Sequence, residues 1–426
     1  MSNRQGYKNT EIEELPEDWK VAELGQIVTR LENGLTYAPS PSRKGVPITR
    51  IETISNGKID PEKVGFVERL STDVIDRHRL VAGDILFSHI NSVQHIGKTA
   101  MYHGDPSVLL HGMNLLLIRP INTRADPFFL GYFLQHETTR NRLRSLAKKA
   151  VNQASINTSE LRSFKVPLPD LREQRKIASI LSTADDAIQK TDEIIAKTQQ
   201  LKKGLMQQLL TKGIGHTKFK QTEIGEIPEE WKLAPGRDLF SLVGGYPPAA
   251  LSFEESNDND IPYVKVDDLN DPRNQIVVTT SRQTLSRRKN PDLSTCPRGV
   301  IVFPKRGAAI LTNKVRILGR EATFDTNIMG LVCKPRVDAS FFRYQLEHLG
   351  LYRLLENAGI PQLNNKHLYP FKFKQPDLEE QKRIASILLD FENRLALETR
   401  RMSELQNLKR GLMQVLLTGK VRVRVN

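Results

Sequence analysis

Pro169-Asp170-Leu171-Arg172-Glu173-Gln174-Arg175-Lys176-Ile177-Ala178-Ser179-Ile180-Leu181 returns later in the chain as Pro376-Asp377-Leu378-Glu379-Glu380-Gln381-Lys382-Arg383-Ile384-Ala385-Ser386-Ile387-Leu388. The match continues without a gap to Gly204-Leu205-Met206-Gln207 and Gly411-Leu412-Met413-Gln414. About 20 of about 45 paired positions are identical, more than helix-favouring composition produces by chance. In each copy an Asp follows the proline and a Glu stands three residues on. This is the pattern of a capping box, so a helix is predicted to begin at each. Beyond it Ile177, Ile180, Leu181, Ala184, Ala187, Ile188, Ile194, Ile195, Leu201, Leu205 and Leu209 keep a spacing of 3 and 4. So do Ile384, Ile387, Leu388, Phe391, Leu395, Met402, Leu405, Leu408, Leu412, Val415 and Leu416. A stripe that narrow on a helix of about 40 residues, near 60 Å, needs a second long helix to cover it, and the two repeats are natural antiparallel partners.

Working outward, a second repeated element stands before each half. Thr10-Glu11-Ile12 and Leu15-Pro16-Glu17-Asp18-Trp19-Lys20 return as Thr222-Glu223-Ile224 and Ile227-Pro228-Glu229-Glu230-Trp231-Lys232, which hold the only two tryptophans. Between the repeats the halves diverge but keep a skeleton. Val46-Pro47-Ile48-Thr49-Arg50 stands against Ile261-Pro262-Tyr263-Val264-Lys265, and Gly83-Asp84-Ile85-Leu86-Phe87 against Gly299-Val300-Ile301-Val302-Phe303. Ile156-Asn157 and Leu161 precede the first helix at the distance that Leu363-Asn364 and Leu368 precede the second. The chain reads as a tandem duplication of a module of roughly 200 residues, too long for a solenoid repeat. Mixed α/β domains are expected, with strands near Ile85 to Phe87 and Ile301 to Phe303 and helices near Leu130 to Ala147 and Phe341 to Asn357.

The 426 residues suffice for two or three domains, and no apolar run approaches the roughly 20 residues of a membrane span. The polar start, Met1 to Lys8, and the lone pair Cys296 and Cys333 lead us to expect a cytoplasmic protein with no disulfide framework. A formal net charge of +14 points toward a polyanionic partner, although RNA-binding and heparin-binding proteins share that property.

The combination of Glu-x-Pro-x-x-Trp, a divergent domain, a Pro-x-Leu-x-Glu-Gln helix start and a Gly-Leu-Met-Gln-x-Leu-Leu helix end resembles the specificity (S) subunits of Type I restriction-modification systems over essentially the whole chain. The Ile-Ala-Ser-Ile-Leu segment carries one residue more between Ala and Leu than the family's usual pattern. The resemblance implies an α+β fold: two globular α/β target-recognition domains in tandem duplication, separated by two long helices forming an antiparallel coiled coil. The expected boundaries are 1–168 for the first recognition domain, 169–213 for the central helix, 214–375 for the second domain and 376–426 for the C-terminal helix and tail. It further implies a non-catalytic chain that reads a two-part site in double-stranded DNA. Its partners would be two adenine methyltransferase subunits using S-adenosylmethionine and two ATP-dependent restriction subunits using ATP and Mg2+, with no cofactor or metal in this chain. A duplicated protein-binding scaffold without DNA specificity is the alternative, and salt-dependent DNA affinity separates the two.

The residues carry no rival chemistry. Neither a cofactor-binding glycine motif nor an Asn-Pro-Pro-Tyr-like loop occurs, and Asp126-Pro127-Phe128-Phe129 reads as a helix start. Pro376-Asp377 with Glu380-Gln381-Lys382 mimics a nuclease signature inside one helical turn, where capping accounts for it. No Walker-type loop is present. His78, His89, His95, His103 and His111 cluster in the first half without a cysteine pair and are expected at the surface or facing DNA.

Side chains that reach base edges are sought where the halves diverge. In the first domain these are Arg43, Lys44, Arg50, Ser88, His89, Asn91, Gln94 and Lys98. In the second they are Lys305, Arg306, Asn313, Lys314 and Arg316, with Tyr246 and Lys265 as additions alongside the Arg287-Arg288-Lys289 run.

Overall fold

The computed structural model describes residues 5–38, 40, 43–55, 57–149, 153–253, 260–355 and 361–424. The predicted helices are long and nearly unbroken, at Leu171–Lys212 and Leu378–Leu416. The chain folds as two compact units, residues 1–192 with 401–426, and residues 193–400. The units therefore divide within the helices: each owns half of both, and the C-terminal end of the chain belongs to the first.

In the first unit a four-stranded antiparallel sheet has the spatial order Thr99–Met101, Ile85–Phe87, Leu116–Pro120, Val28–Asn33. In the second the order is Arg316–Leu318, Ile301–Pro304, Ile328–Cys333, Phe240–Gly244, the same four positions, with Val277–Val278 added in parallel on the outer edge of Arg316–Leu318. Both expected strands lie where the sequence places them. Each sheet packs on a helix, Pro127–Gln135 or Ala339–Leu349, whose first backbone N–H groups are capped by Asp126 and Asp338. The first expected helix is broken at His136, after which Glu137–Ser145 begins. The second ends at Gly350, whose φ of 81° favours glycine, and its expected last residues, 356–357, lie outside the described residues.

The repeated Glu-Gln pair ties each domain to its helix. Asp170 and Asp377 accept the N–H groups of Glu173 and Glu380, as a cap should. The two glutamate side chains do not turn back to complete the box. Buried Glu173 accepts the indole N–H of Trp19 at 3.1 Å, and Glu380 that of Trp231 at 2.9 Å. The neighbouring glutamines, Gln174 and Gln381, donate to the carbonyls of Pro169 and Pro376 and accept from the N–H groups of Asp126 and Asp338. One dipeptide thus fixes both the tryptophan and the start of the sheet-packing helix, Pro127–Gln135 or Ala339–Leu349, which corrects the capping-box reading of the glutamates.

Within each unit the helix halves run antiparallel. Asp185 meets Lys409 at 2.6 Å in the first unit and Lys202 meets Glu392 at 2.7 Å in the second. These are the same pair under the duplication, which carries residue 185 to 392 and residue 202 to 409. Each acid also accepts a tyrosine hydroxyl, from Tyr132 and Tyr344, both at 2.8 Å. The apolar seam passes through Leu181, Ala184, Thr191, Thr198 and Leu209, all buried. Leu201 and Leu408, expected on it, are 59% and 56% exposed. The heptad runs one residue away from them, through Lys202 and Lys409. An apolar residue at about the right spacing is therefore not enough to define the seam, and a threonine can occupy it when its hydroxyl is satisfied, as Thr191 is by Ala187 O at 2.8 Å.

Candidate nucleic-acid interface

The loop joining Ile85–Phe87 to Thr99–Met101, residues 88–98, and the loop joining Ile301–Pro304 to Arg316–Leu318, residues 305–315, are equal in length and occupy the same position in the two sheets. They contain most of the expected base-reading residues and share almost no side-chain chemistry. One frame therefore presents two different surfaces.

In the first loop Ser88 and His89 are buried, Asn91 donates to Ser88 Oγ at 3.1 Å, Gln94 is exposed and Lys98 half-buried. Burial pushes the His89 imidazole below its ordinary value. Ser88 and His89 thus support the loop from beneath, a correction to their expected surface position. His111 departs further: fully buried, its Nε2 lies 2.9 Å from Leu115 O. Arg43, Lys44 and Arg50 lie outside this loop and are exposed. Arg43 stands over the Phe66 ring at 5.6 Å, and Arg50 pairs with Glu52 at 2.7 Å.

In the second unit Arg306 is exposed and Lys305 half-buried. The Lys305 backbone is fixed by bonds to Asn327 and Leu363, and burial together with Arg306 lowers its ammonium pKa. Asn313 takes the left-handed conformation, φ 51°, donates to Glu347 O at 2.7 Å and accepts from the Leu351 N–H at 2.9 Å. One donor and one acceptor of its amide are used inside the fold, so Asn313 shapes the loop. Lys314 donates to Asn270, and Arg316 turns inward to a cavity of about 360 Å³ shared with Arg343, Glu347 and Glu392. Lys265 lies 5.7 Å from the Tyr263 ring, Tyr246 accepts from the Ser294 N–H through its hydroxyl, and Arg287 pairs with Glu321 while Arg288 and Lys289 are exposed.

The sequence reading missed Arg140 and Arg144, which lie behind the first loop. Arg144 donates to Gln94 O at 3.1 Å, and both arginines depress the Lys98 ammonium after burial has done so. Their spacing of four on Glu137–Ser145 places them on one helix face, a signal present in the sequence.

Among the described residues no group of three or more His, Cys, Asp or Glu side chains is placed to hold a metal ion, and no helix is long and apolar enough to cross a membrane. Two copies of one α/β domain, each built onto antiparallel helix halves and each carrying its own hairpin loop, define a duplicated recognition protein. The chain belongs to the Type I restriction modification DNA specificity domain family, whose model matches residues 16–200 and again 228–407. It is 38% identical over 428 residues to the putative type I restriction enzyme MjaX specificity subunit of Methanocaldococcus jannaschii, covering 99% of this chain and 97% of that one. Among solved structures, the Type I restriction-modification S subunit of M. genitalium superposes with a TM-score of 0.61 at 15% identity, covering 93% of this chain and 96% of the other. A chain from a type I restriction-modification assembly superposes with a TM-score of 0.55 at 16% identity, covering 96% and 99%. At these identities the superpositions establish the shared fold.

Proposed function

We propose that the chain is the sequence-reading subunit of a Type I restriction-modification complex, in which each domain reads one half of a two-part target in double-stranded DNA. The observation that carries this reading is the pair of equivalent hairpin loops, alike in position and length but different in residues, on a duplicated frame. The chain's similarity to type I restriction enzyme specificity subunits of Methanocaldococcus jannaschii supports it. The helix pair sets the unread spacing between the half-sites and docks two adenine methyltransferase subunits, and two ATP-dependent restriction subunits complete the complex. The chemistry, with S-adenosylmethionine, ATP and Mg2+, belongs to those partners in the cytoplasm, and this chain catalyses nothing.

Methylation mapping tests the reading. Cells that express the chain with an adjacent methyltransferase subunit are expected to carry a two-part adenine-methylated motif that disappears when this chain alone is removed; active methyltransferase with no such motif would overturn it. Replacing Lys305 and Arg306 together by alanine is expected to relax one half of the motif and leave the other intact, because each domain reads alone. Equal loss at both halves would rule out two independent readers.

A further inference from the structure

Behind the 88–98 loop lies a cavity of about 220 Å³ lined by Gly57, Lys98, Thr99, Gln135 and Arg140. Thr99 and Arg140 bring unpartnered polar atoms to it. The Thr99 hydroxyl, on a residue 2% exposed, has no hydrogen-bond partner. The Nε atoms of Arg140 and of neighbouring Arg144 are buried and have no acceptor. Among the described residues no carboxylate forms an ion pair with Lys98, Arg140 or Arg144. Of the acids, Glu137 alone acts on Arg140, and from a distance. Burial and the two arginines lower the Lys98 ammonium, and burial and Arg144 lower the Arg140 guanidinium, so the cluster is repulsive as it stands. Gln135 donates to Gly57 O at 3.0 Å and fixes the wall opposite the cations.

A cluster of like charges with unmet donors, gathered on one cavity, is stabilised by an anion that accepts from all of them. The cavity is smaller than the roughly 300 Å³ at which small-molecule sites begin, and no aromatic ring lines it to stack a base. Arg144 joins it to the candidate reading loop through Gln94. We propose that Lys98, Thr99 and Arg140 form a pocket that holds one backbone phosphate of the DNA duplex, with Arg144 supporting the loop above it. This deepens the DNA-reading function and rests on it. The contact fixes where the first domain sits on the duplex and carries no base preference.

The test measures duplex affinity against salt concentration for the full chain, on a duplex bearing the mapped motif and on an unrelated one. Arg140→Gln is expected to weaken both about tenfold and to reduce the slope of log affinity against log salt by roughly 0.9, the share of one phosphate, while the preference for the motif persists. The same variant, and Thr99→Val, should leave the melting temperature of the free chain unchanged or raise it, since each removes an unsatisfied group. A lowered melting temperature would mark a structural role and overturn the proposal. So would an unchanged slope when the wild-type chain binds DNA with strong salt dependence, and the DNA-reading function would then stand without this pocket. Lost motif preference would assign Arg140 to base reading instead. Inorganic phosphate, followed by its 31P line width, gives a further arm: if Arg140→Gln abolishes its binding but the duplex slope is unchanged, the pocket serves a free anion and the assignment to DNA falls. If the wild-type chain binds no duplex, the DNA-reading function fails with it.

Discussion

Glu392→Ala is expected to destabilise the second unit by about 3–5 kcal/mol, the range for stranding a buried charge. Arg343 is 1% exposed and lies 2.6 Å from Glu392, which also takes Lys202 and the Tyr344 hydroxyl. Burial alone would raise the Glu392 carboxyl, but the two cations and the hydrogen bonds outweigh it and hold the group below its ordinary value. The corresponding change in the first unit, Asp185→Ala, should cost about 1 kcal/mol. There Gly131 stands where the second unit has Arg343, and Lys409, 18% exposed, can turn to water. Hydrogen exchange over residues 339–349 and 127–135 reads the two units separately. Equal losses in both would show that the buried arginine is not the source of the difference. Replacing Arg343 and Glu392 together by leucine should recover more than half of the loss, because the pair is then absent and not broken.

Acidification from pH 6.5 to pH 5 is expected to weaken the first unit more than the second. His111 is fully buried, and burial drives its imidazole down to about 4, with Arg30 and His78 pushing the same way against Leu115 O and Glu32. A histidine whose folded value lies below its unfolded one contributes its full stability above about pH 6.5, the unfolded value, and loses it as pH falls toward the folded value. At pH 5 that loss is about 2 kcal/mol for His111. Burial lowers His78, His89, His103 and His136 in the same unit, and His348 in the other. Glu392, held low, keeps its contribution down to the ordinary carboxylate range, and Glu13 in the first unit, raised by burial, gains stability on acidification, so a loss in this window falls to the histidines. Hydrogen exchange of residues 110–118 at the two pH values checks this, and His111→Gln should remove most of the change. A loss undiminished in that variant would place the pH sensitivity elsewhere.

Much of the fold was legible because a duplicated chain supplies its own alignment. The strands at Ile85–Phe87 and Ile301–Pro304 and both long helices follow from repeated spacing, and the helix start at Asp126-Pro127 from its proline. What spacing does not encode is which face of a residue is used. Glu173 and Glu380 match a capping box letter for letter, but an indole from more than a hundred residues away takes their carboxylates. Leu201 and Leu408 have seam-like chemistry yet lie one position off it. At the candidate interface the positions of the loops were readable, but Ser88 and His89 are buried, Arg316 lines an inner cavity and Asn313 bonds within the fold. That depends on burial and on distant partners such as Leu351 N–H, which no local pattern reveals.

The first unit is closed by residues 413–422, more than two hundred positions beyond its own domain. Met413, Leu416 and Leu417 lie in the same core as Trp19, and Arg422 grips Asp18 and Glu173. The equivalent place beside Trp231 is filled by Ile214 and His216, part of an uninterrupted stretch. During synthesis the domain that leaves the ribosome first therefore cannot finish folding, while the second unit has all of its residues once position 400 has emerged. At about 5–20 residues per second the early half waits on the order of tens of seconds with its tryptophan pocket open, until residues 413–422 have emerged to close it.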